Sequence, residues 1–313
     1  MIDAVTVGET MAMVRTHSAG KPQNQTQCTL ALGGAESNVA IGLARLGYSV
    51  RWISALGADA FGDMIESTLR QEGVAVVAPR STDRPTGLMV KSPSKSNERF
   101  VSYYRAGSAA AALTPEMVGD ELLSGARLLH LTGITPALSE SARRLTLELA
   151  ARASSLGLTV SLDINFRPAL WSSQQAALIL RELAAQADLV FGDRDELQLL
   201  VDDAASDDRE LLELVADLGA TECVMKQGEA GATTLLNGEI MHQSALSVAV
   251  VDTVGAGDAF VAGYLSGWLD SAGPKESLLR GVICGAQACT NAGDWEGSPS
   301  LAQLEAAKLE LAS

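Results

Sequence analysis

Short apolar runs alternate with segments of helical period along most of the chain, and few folds can hide both. Strands joined in sequence by helices pair in parallel, and the crossovers lay those helices on the two faces of the sheet. Residues 50–56, 128–131, 158–162, 188–191 and 222–225 are expected strands. A helix is expected over 35–46, with Val39, Leu43 and Leu46 on one face and Gly47 as its stop; another groups Phe61, Ile65 and Leu69 ahead of Gly73. Further helices are expected near 139–155, 173–186, 195–201 and 208–218. A hairpin-like stretch at 233–251 follows, then helices near 257–269, 275–291 and 300–311. The fold class is therefore α/β, a largely parallel central sheet flanked by helices.

Two stretches break the rhythm. Residues 11–33 are polar and rich in Gln, Thr and Gly, and residues 83–112 alternate like strands around a charged turn. Such insertions are expected to pair into a small β-sheet lid over a cleft. No repeat and no Pro/Ser-rich linker divides the chain, so residues 1–313 read as one domain with lid insertions at about 11–33 and 83–112.

The charge balance narrows the ligands. Against 38 Asp and Glu stand 23 Lys and Arg, a net charge of −15, which repels nucleic acid and anionic membrane alike. A phosphate ligand must then be held by backbone dipoles and a few local cations. The first residues carry Asp3 and Glu9 where a secretory leader needs a basic flank and an unbroken apolar stretch. No run reaches the roughly 18 apolar residues of a membrane span. Cys28, Cys223, Cys284 and Cys289 form no C-x-x-C pair and no zinc-type cluster. They read as reduced thiols, and the protein as cytoplasmic.

The segment richest in chemistry is DTVGAGDAF, Asp252 to Phe260. It follows the apolar run 247–251, expected as a strand, and leads into a helix. Gly255 and Gly257 let the backbone turn sharply, so that successive N–H groups aim at one point where the helix begins. An anion fits there. The helix dipole adds ~0.3–1 kcal/mol per exposed charge, and direct hydrogen bonds at ~1.5–3 kcal/mol each carry more. A carboxylate beside a bound anion is repelled. Asp258 makes chemical sense as a base that takes the proton of a hydroxyl attacking phosphorus held by those amides. A plainer reading is open as well: the dipole favours any first-turn aspartate, and glycines serve any tight turn. Neither a G-x-x-x-x-G-K-[ST] loop nor a G-x-G-x-x-G turn occurs.

The longer pattern DTVGAGDAFVAG resembles the C-terminal signature of the ribokinase family of carbohydrate kinases, the phosphofructokinase-B type, and LGGAESNVAIGLARLG, from Leu32, resembles its N-terminal signature. The resemblance implies a ribokinase-like fold and a kinase using ATP and Mg2+, and it admits a monovalent cation. It further implies Asp258 as catalytic base, an anion hole from the amides of Gly255, Ala256 and Gly257, and a loop-ordering role for Asp252. Lys226, in MKQGEAGA, matches the family's nucleotide loop, with Gly228 and Gly231 allowing ATP close; on pattern alone it is equally a strand-end lysine. The family's Asn-x-x-Glu element is here Asp193-Arg194-Asp195-Glu196. Glu196 aligns with the glutamate that organises hydrated magnesium through water, and Asp193 replaces the asparagine at the nucleotide. A solvated acidic helix start explains the same residues.

On the sugar side, Gly34, Ala35 and Asn38 are small or amide residues that let a polyol approach, while Ser37 or Asn38 also suits a helix cap. Tyr103-Tyr104-Arg105-Ala106-Gly107-Ser108-Ala109 and DINFRPALW, from Asp163, resemble the branch of the family acting on 2-keto-3-deoxygluconate. Arg105 and Arg167 have the paired donors that a planar carboxylate needs, and Tyr103 has a hydroxyl; each is also explained as an ordinary lid or surface residue. The resemblance adds Met89, Ile134 and Asp294 on the sugar side, and Asn165 with Arg167 at the nucleotide phosphates. Leu88-Met89-Val90 stands where the branch usually has another tyrosine. The expected activity is phosphorylation of 2-keto-3-deoxygluconate to its 6-phosphate, in a homo-oligomer formed through the lid. A fructokinase or another neutral-sugar kinase is the alternative, and a silent sugar or nucleotide sensor a third.

Overall fold

The computed structural model describes residues 2–17, 27–92, 101–202 and 204–312. The charged turn expected within the second insertion, at 93–100, and the middle of the first insertion lie outside the described residues. The chain opens with β1 (Ala4–Val7), β2 (Met11–Thr16), β3 (Cys28–Gly33), α1 (Ala35–Arg45), β4 (Val50–Ile53) and β5 (Leu56–Gly57). α2 (Ala60–Gln71), β6 (Ala75–Val77), β7 (Arg80–Ser81), β8 (Leu88–Lys91), β9 (Val101–Tyr104), α3 (Asp120–Leu123) and β10 (Leu128–Thr132) follow. Then come α4 (Thr135–Leu138), α5 (Glu140–Ser155), β11 (Thr159–Asp163), α6 (Ser173–Ala184), β12 (Leu189–Gly192), α7 (Arg194–Gln198) and α8 (Asp208–Ala216). β13 (Glu222–Lys226), β14 (Ala232–Leu236), β15 (Glu239–Gln243), α9 (Ala256–Leu269), α10 (Pro274–Ala288) and α11 (Leu301–Ala312) complete the order.

Among the described residues, nine strands form one sheet in the order β15-β14-β13-β12-β11-β10-β1-β4-β6. β14 pairs antiparallel with both β13 and β15; the other six pairings are parallel. Both faces are buried, as a parallel sheet requires. Val5, Leu129, Leu131 and Leu162 meet Leu145, Leu149, Leu180 and Leu211 of the helices on one side. Ala4, Trp52, Leu128 and Phe191 meet Val39, Leu43, Ile65, Val261 and Leu265 on the other. From β1 the chain builds β4 and β6 to one side, then returns to β10 and continues outward through β11, β12 and β13. Connections leave β1 and β10 in opposite directions, which opens a crevice at the carboxyl ends of those strands.

A separate small sheet runs β3-β2-β8-β9. Its residues come from the two stretches that break the βα rhythm. Alternation along the paired strands sends Met13, Ala31, Met89 and Tyr103 to one face and Val14, Leu30, Val90 and Ser102 to the other. No helix among the described residues is long and apolar enough to cross a membrane.

Some expected elements differ. Residues 247–251 are not a strand: the chain leaves the sheet at Gln243, and the amides of Val251 and Asp252 bond to the Cys289 carbonyl at 2.8 and 3.3 Å instead of to a neighbouring strand. Val250 and Val251 stay exposed. Residues 50–56 split, because β5 leaves the large sheet to pair with β7. The helix expected near 195–201 is shorter and is held at its start by a reciprocal cap between Asp193 and Glu196.

Candidate active site

The carboxyl ends of the parallel strands open into a cleft of about 790 Å³. The loop after β1 supplies Glu9, that after β10 Ile134, that after β11 Asn165 and Arg167, and that after β12 Asp193; β13 ends on Lys226, with Gly228 just beyond. Gly34, Ala35 and Asn38 enter from the head of α1, and Met89, Tyr103 and Arg105 from the small sheet and its edge. Gly255, Gly257 and Asp258 close the floor at the head of α9, beside Asp294, and Glu196 lines the cleft next to Asp193. The residues expected from the sequence thus share one cleft, with two exceptions. The Ala256 amide turns toward the Thr253 carbonyl at 3.4 Å, and Gly231, at φ 107°, packs against the Gln243 carbonyl.

Gly255 is the N-cap of α9 at φ 74°, and no side chain caps this helix. A Cβ on Gly255 would stand 1.7 Å from the Asp294 carbonyl oxygen, so conformation and space both require glycine. Gly255 and Gly257 line the cleft at this uncapped helix start, and free amides at such a start suit an anion. Asp258, in that first turn, is only 9% exposed. Its carboxylate accepts a hydrogen bond from Asn38 Nδ2 at 2.7 Å. Burial drives its pKa upward, helped by the Asp163 charge and opposed by the Asn38 bond, Lys226 and Arg167, and leaves it at about 7. A carboxyl so poised exchanges protons readily near neutrality.

The cleft cations are not equally free. Lys226 Nζ donates to both Asp163 oxygens, at 2.7 and 2.8 Å, and lies beside Gly257, whose added Cβ would be 3.8 Å away. Burial opposes its charge, but Asp163 and Glu196 outweigh burial and hold its pKa above the ordinary lysine value. Arg105 Nε donates to Glu9 Oε2 at 2.6 Å, and its Nη2 lies 2.5 Å from the same oxygen. Arg167 donates to the Phe166 carbonyl at 3.1 Å. Among the described residues it is the cleft-lining cation without a carboxylate partner.

The acidic helix start is both structural and cleft-lining. Asp193 Oδ1 accepts the Glu196 amide at 2.8 Å, and Glu196 accepts the amides of Asp193 and Phe166 at 3.0 and 2.9 Å. Among the described residues no three His, Cys, Asp or Glu side chains are grouped to hold a metal. A half-buried Glu196 at the cleft wall suits a magnesium ion bound mainly by phosphate oxygens and water.

A family model described as pfkB family carbohydrate kinase matches residues 1–301. The chain belongs to this family. It is accordingly an ATP-dependent carbohydrate kinase. A 2-dehydro-3-deoxygluconokinase of Bacillus subtilis (strain 168) is 37% identical over 307 residues, covering 97% of this chain and 94% of that one. The crystal structure of a PfkB protein from Polaromonas sp. JS666 superposes with a TM-score of 0.89 at 30% identity, over 98% of this chain and 100% of its own. A ribokinase II structure from E. coli in complex with ATP and Mg2+ shares the fold, with a TM-score of 0.91 at 22% identity over 99% and 100% of the two chains.

Three side chains in this pfkB kinase escaped the sequence reading. Glu9 is buried under Arg105 and also accepts the Ser108 hydroxyl at 2.5 Å; Asp163 holds Lys226; Lys91 reaches Asp294. The available signal was a charged residue at a strand's last position, as for Lys91 and Asp163, or two residues beyond it, as for Glu9.

Proposed function

We propose that this kinase phosphorylates 2-keto-3-deoxygluconate, the 2-dehydro-3-deoxygluconate of its relative's name, at the terminal hydroxyl. The observation that carries the reading is Arg167, a guanidinium left free for a sugar acid's carboxylate while Arg105 and Lys226 are held by carboxylates of the protein. The 37% identical relative supports the same acid. The acceptor oxygen attacks the γ-phosphorus of ATP and its proton passes to Asp258; the bond from γ-phosphorus to the bridging oxygen breaks and ADP departs. Amides of Gly255 and Gly257, with Lys226, steady the migrating group. Gly34, Ala35, Met89, Tyr103, Ile134 and Asp294 shape the sugar end; Asn165, Asp193 and Gly228 shape the nucleotide end. Asn38 Oδ1 and Asn165 Oδ1, buried with no partner among the described residues, accept substrate hydroxyls. Magnesium, when bound, neutralises phosphate charge, with Glu196 holding one of its waters. The small sheet acts as a lid that keeps water from competing as acceptor.

ADP release is the test, measured over keto acids, ketoses, pentoses and nucleosides in potassium and in tetramethylammonium salts. The keto acid is expected to be strongly preferred. Preference for fructose or ribose would make the protein a neutral-sugar kinase, and binding without ADP release a sensor. A potassium requirement would add a monovalent cation near Asp252 to the reading. Because Asp258 acts as the carboxylate and its pKa lies near 7, log kcat/KM is expected to rise with unit slope up to about pH 7 and then level. An acid limb ending below pH 5 would remove Asp258 from that role.

The lid also carries the proposed oligomer. Leu30 and Tyr104 share its outer face and are 56% and 64% exposed. Leu30→Asp is expected to convert a sedimenting oligomer into monomer at micromolar concentration; a monomeric wild type would end this part of the proposal. The net charge of −15 leaves nucleic acid and anionic membrane out of it. We place the reaction in the cytoplasm, which supplies ATP and suits four free cysteines.

A further inference from the structure

Lys91 ends β8 on the same face of the small sheet as Met89 and is only 8% exposed. Its ammonium donates to Asp294 Oδ1 at 3.1 Å and lies 3.7 Å from Asp252 Oδ2. The two carboxylates sit on different loops, and both loops bear on Gly255. Asp252 Oδ1 accepts the Val254 amide at 3.2 Å, which orders the turn entering α9. The Asp294 backbone lies so close to Gly255 that no Cβ fits between them. Two acidic groups around one point repel unless a cation joins them. Here the cation comes from the small sheet, a part of the chain remote in sequence from both loops.

We infer that Lys91 is a positioning residue for phosphoryl transfer, tying the small sheet to both walls of the anion hole so that the hole takes its working shape with the lid in place. This rests on the proposed reading of the glycine loop as that hole. A lysine that merely balanced two acids would affect stability and leave turnover alone.

The experiment compares wild type, Lys91→Met and Lys91→Arg by ADP release with ATP and the preferred sugar. Lys91→Met is expected to lower kcat at least tenfold while KM for ATP moves less than threefold, and Lys91→Arg to recover much of the loss by keeping a cation on the lid. A Lys91→Met kcat within twofold of wild type overturns the inference. Should that variant fail to fold, Lys91→Gln, which keeps a hydrogen-bond donor and loses only the cation, takes its place; a tenfold loss there supports the inference, and wild-type turnover overturns it. A wild type without kinase activity on any sugar overturns the functional reading and the inference with it, whereas an active wild type indifferent to Lys91 overturns the inference alone.

Discussion

Asp258→Asn lowers kcat by about 10²–10⁴ and leaves nucleotide affinity within a few-fold. The substitution keeps volume and shape, and the new amide oxygen still accepts from Asn38, whose Nδ2 is 2.7 Å from the native carboxylate. It removes only the capacity to take a proton. Groups proposed to hold ATP in the ground state, the α9 amides and Lys226, are untouched. Initial rates at saturating substrates, with a parallel ATP titration, make the check; near-normal turnover would remove Asp258 as the base.

Stability supplies an independent readout on the same variant. Burial raises the Asp258 pKa from 3.8 to about 7, so the folded state binds a proton between those values that the unfolded chain has released. The associated stability is present below about pH 4 and is lost as pH rises through 7. The Asn variant is therefore expected to melt above wild type at pH 8, with the difference shrinking toward pH 5, where both side chains are neutral in the fold. A more stable but far slower enzyme separates a functional carboxyl from a structural one.

How far the chain could be read in advance depended on the sequence distance between partners. Gly255, Gly257 and Asp258 lie within four residues, so their common site was legible before any fold was known. Glu9 and Arg105 are separated by 96 residues, Asp163 and Lys226 by 63, and Lys91 and Asp294 by 203. No periodicity reports such pairings, and without them Arg105 and Arg167 looked equivalent as carboxylate receptors. The run 247–251 misled for a related reason: alternation marks a segment that suits a sheet, but a strand also needs a neighbouring edge, and here the carbonyl of Cys289 took the amides. At Asp193 and Glu196 the helix-start reading is met by the reciprocal cap of α7, and the same residues line the cleft, where their nucleotide and magnesium role is a proposal.

Arg167→Ala is expected to cut kcat/KM for the keto acid by roughly 10–100-fold while changing the value for a neutral ketose by less than about threefold; the lower end follows from one charge-assisted hydrogen bond, the upper from a paired set. The side chain is exposed in the described structure, where water screens a carboxylate partner, so the full effect requires the lid over the occupied cleft. Arg167→Lys keeps the charge without the planar fork and should fall between. Should Arg167 also touch the nucleotide phosphates, KM for ATP shifts alike with either sugar, which leaves the acid-to-neutral ratio as the clean readout. Arg105→Ala provides the contrast. Its guanidinium is held by the buried Glu9, so its removal strands that carboxylate and is expected to lower the melting temperature and slow both substrates alike. If instead Arg167→Ala slows acid and ketose equally and selectivity is lost in Arg105→Ala, the carboxylate is received at the lid and the Glu9 pair must open to admit it.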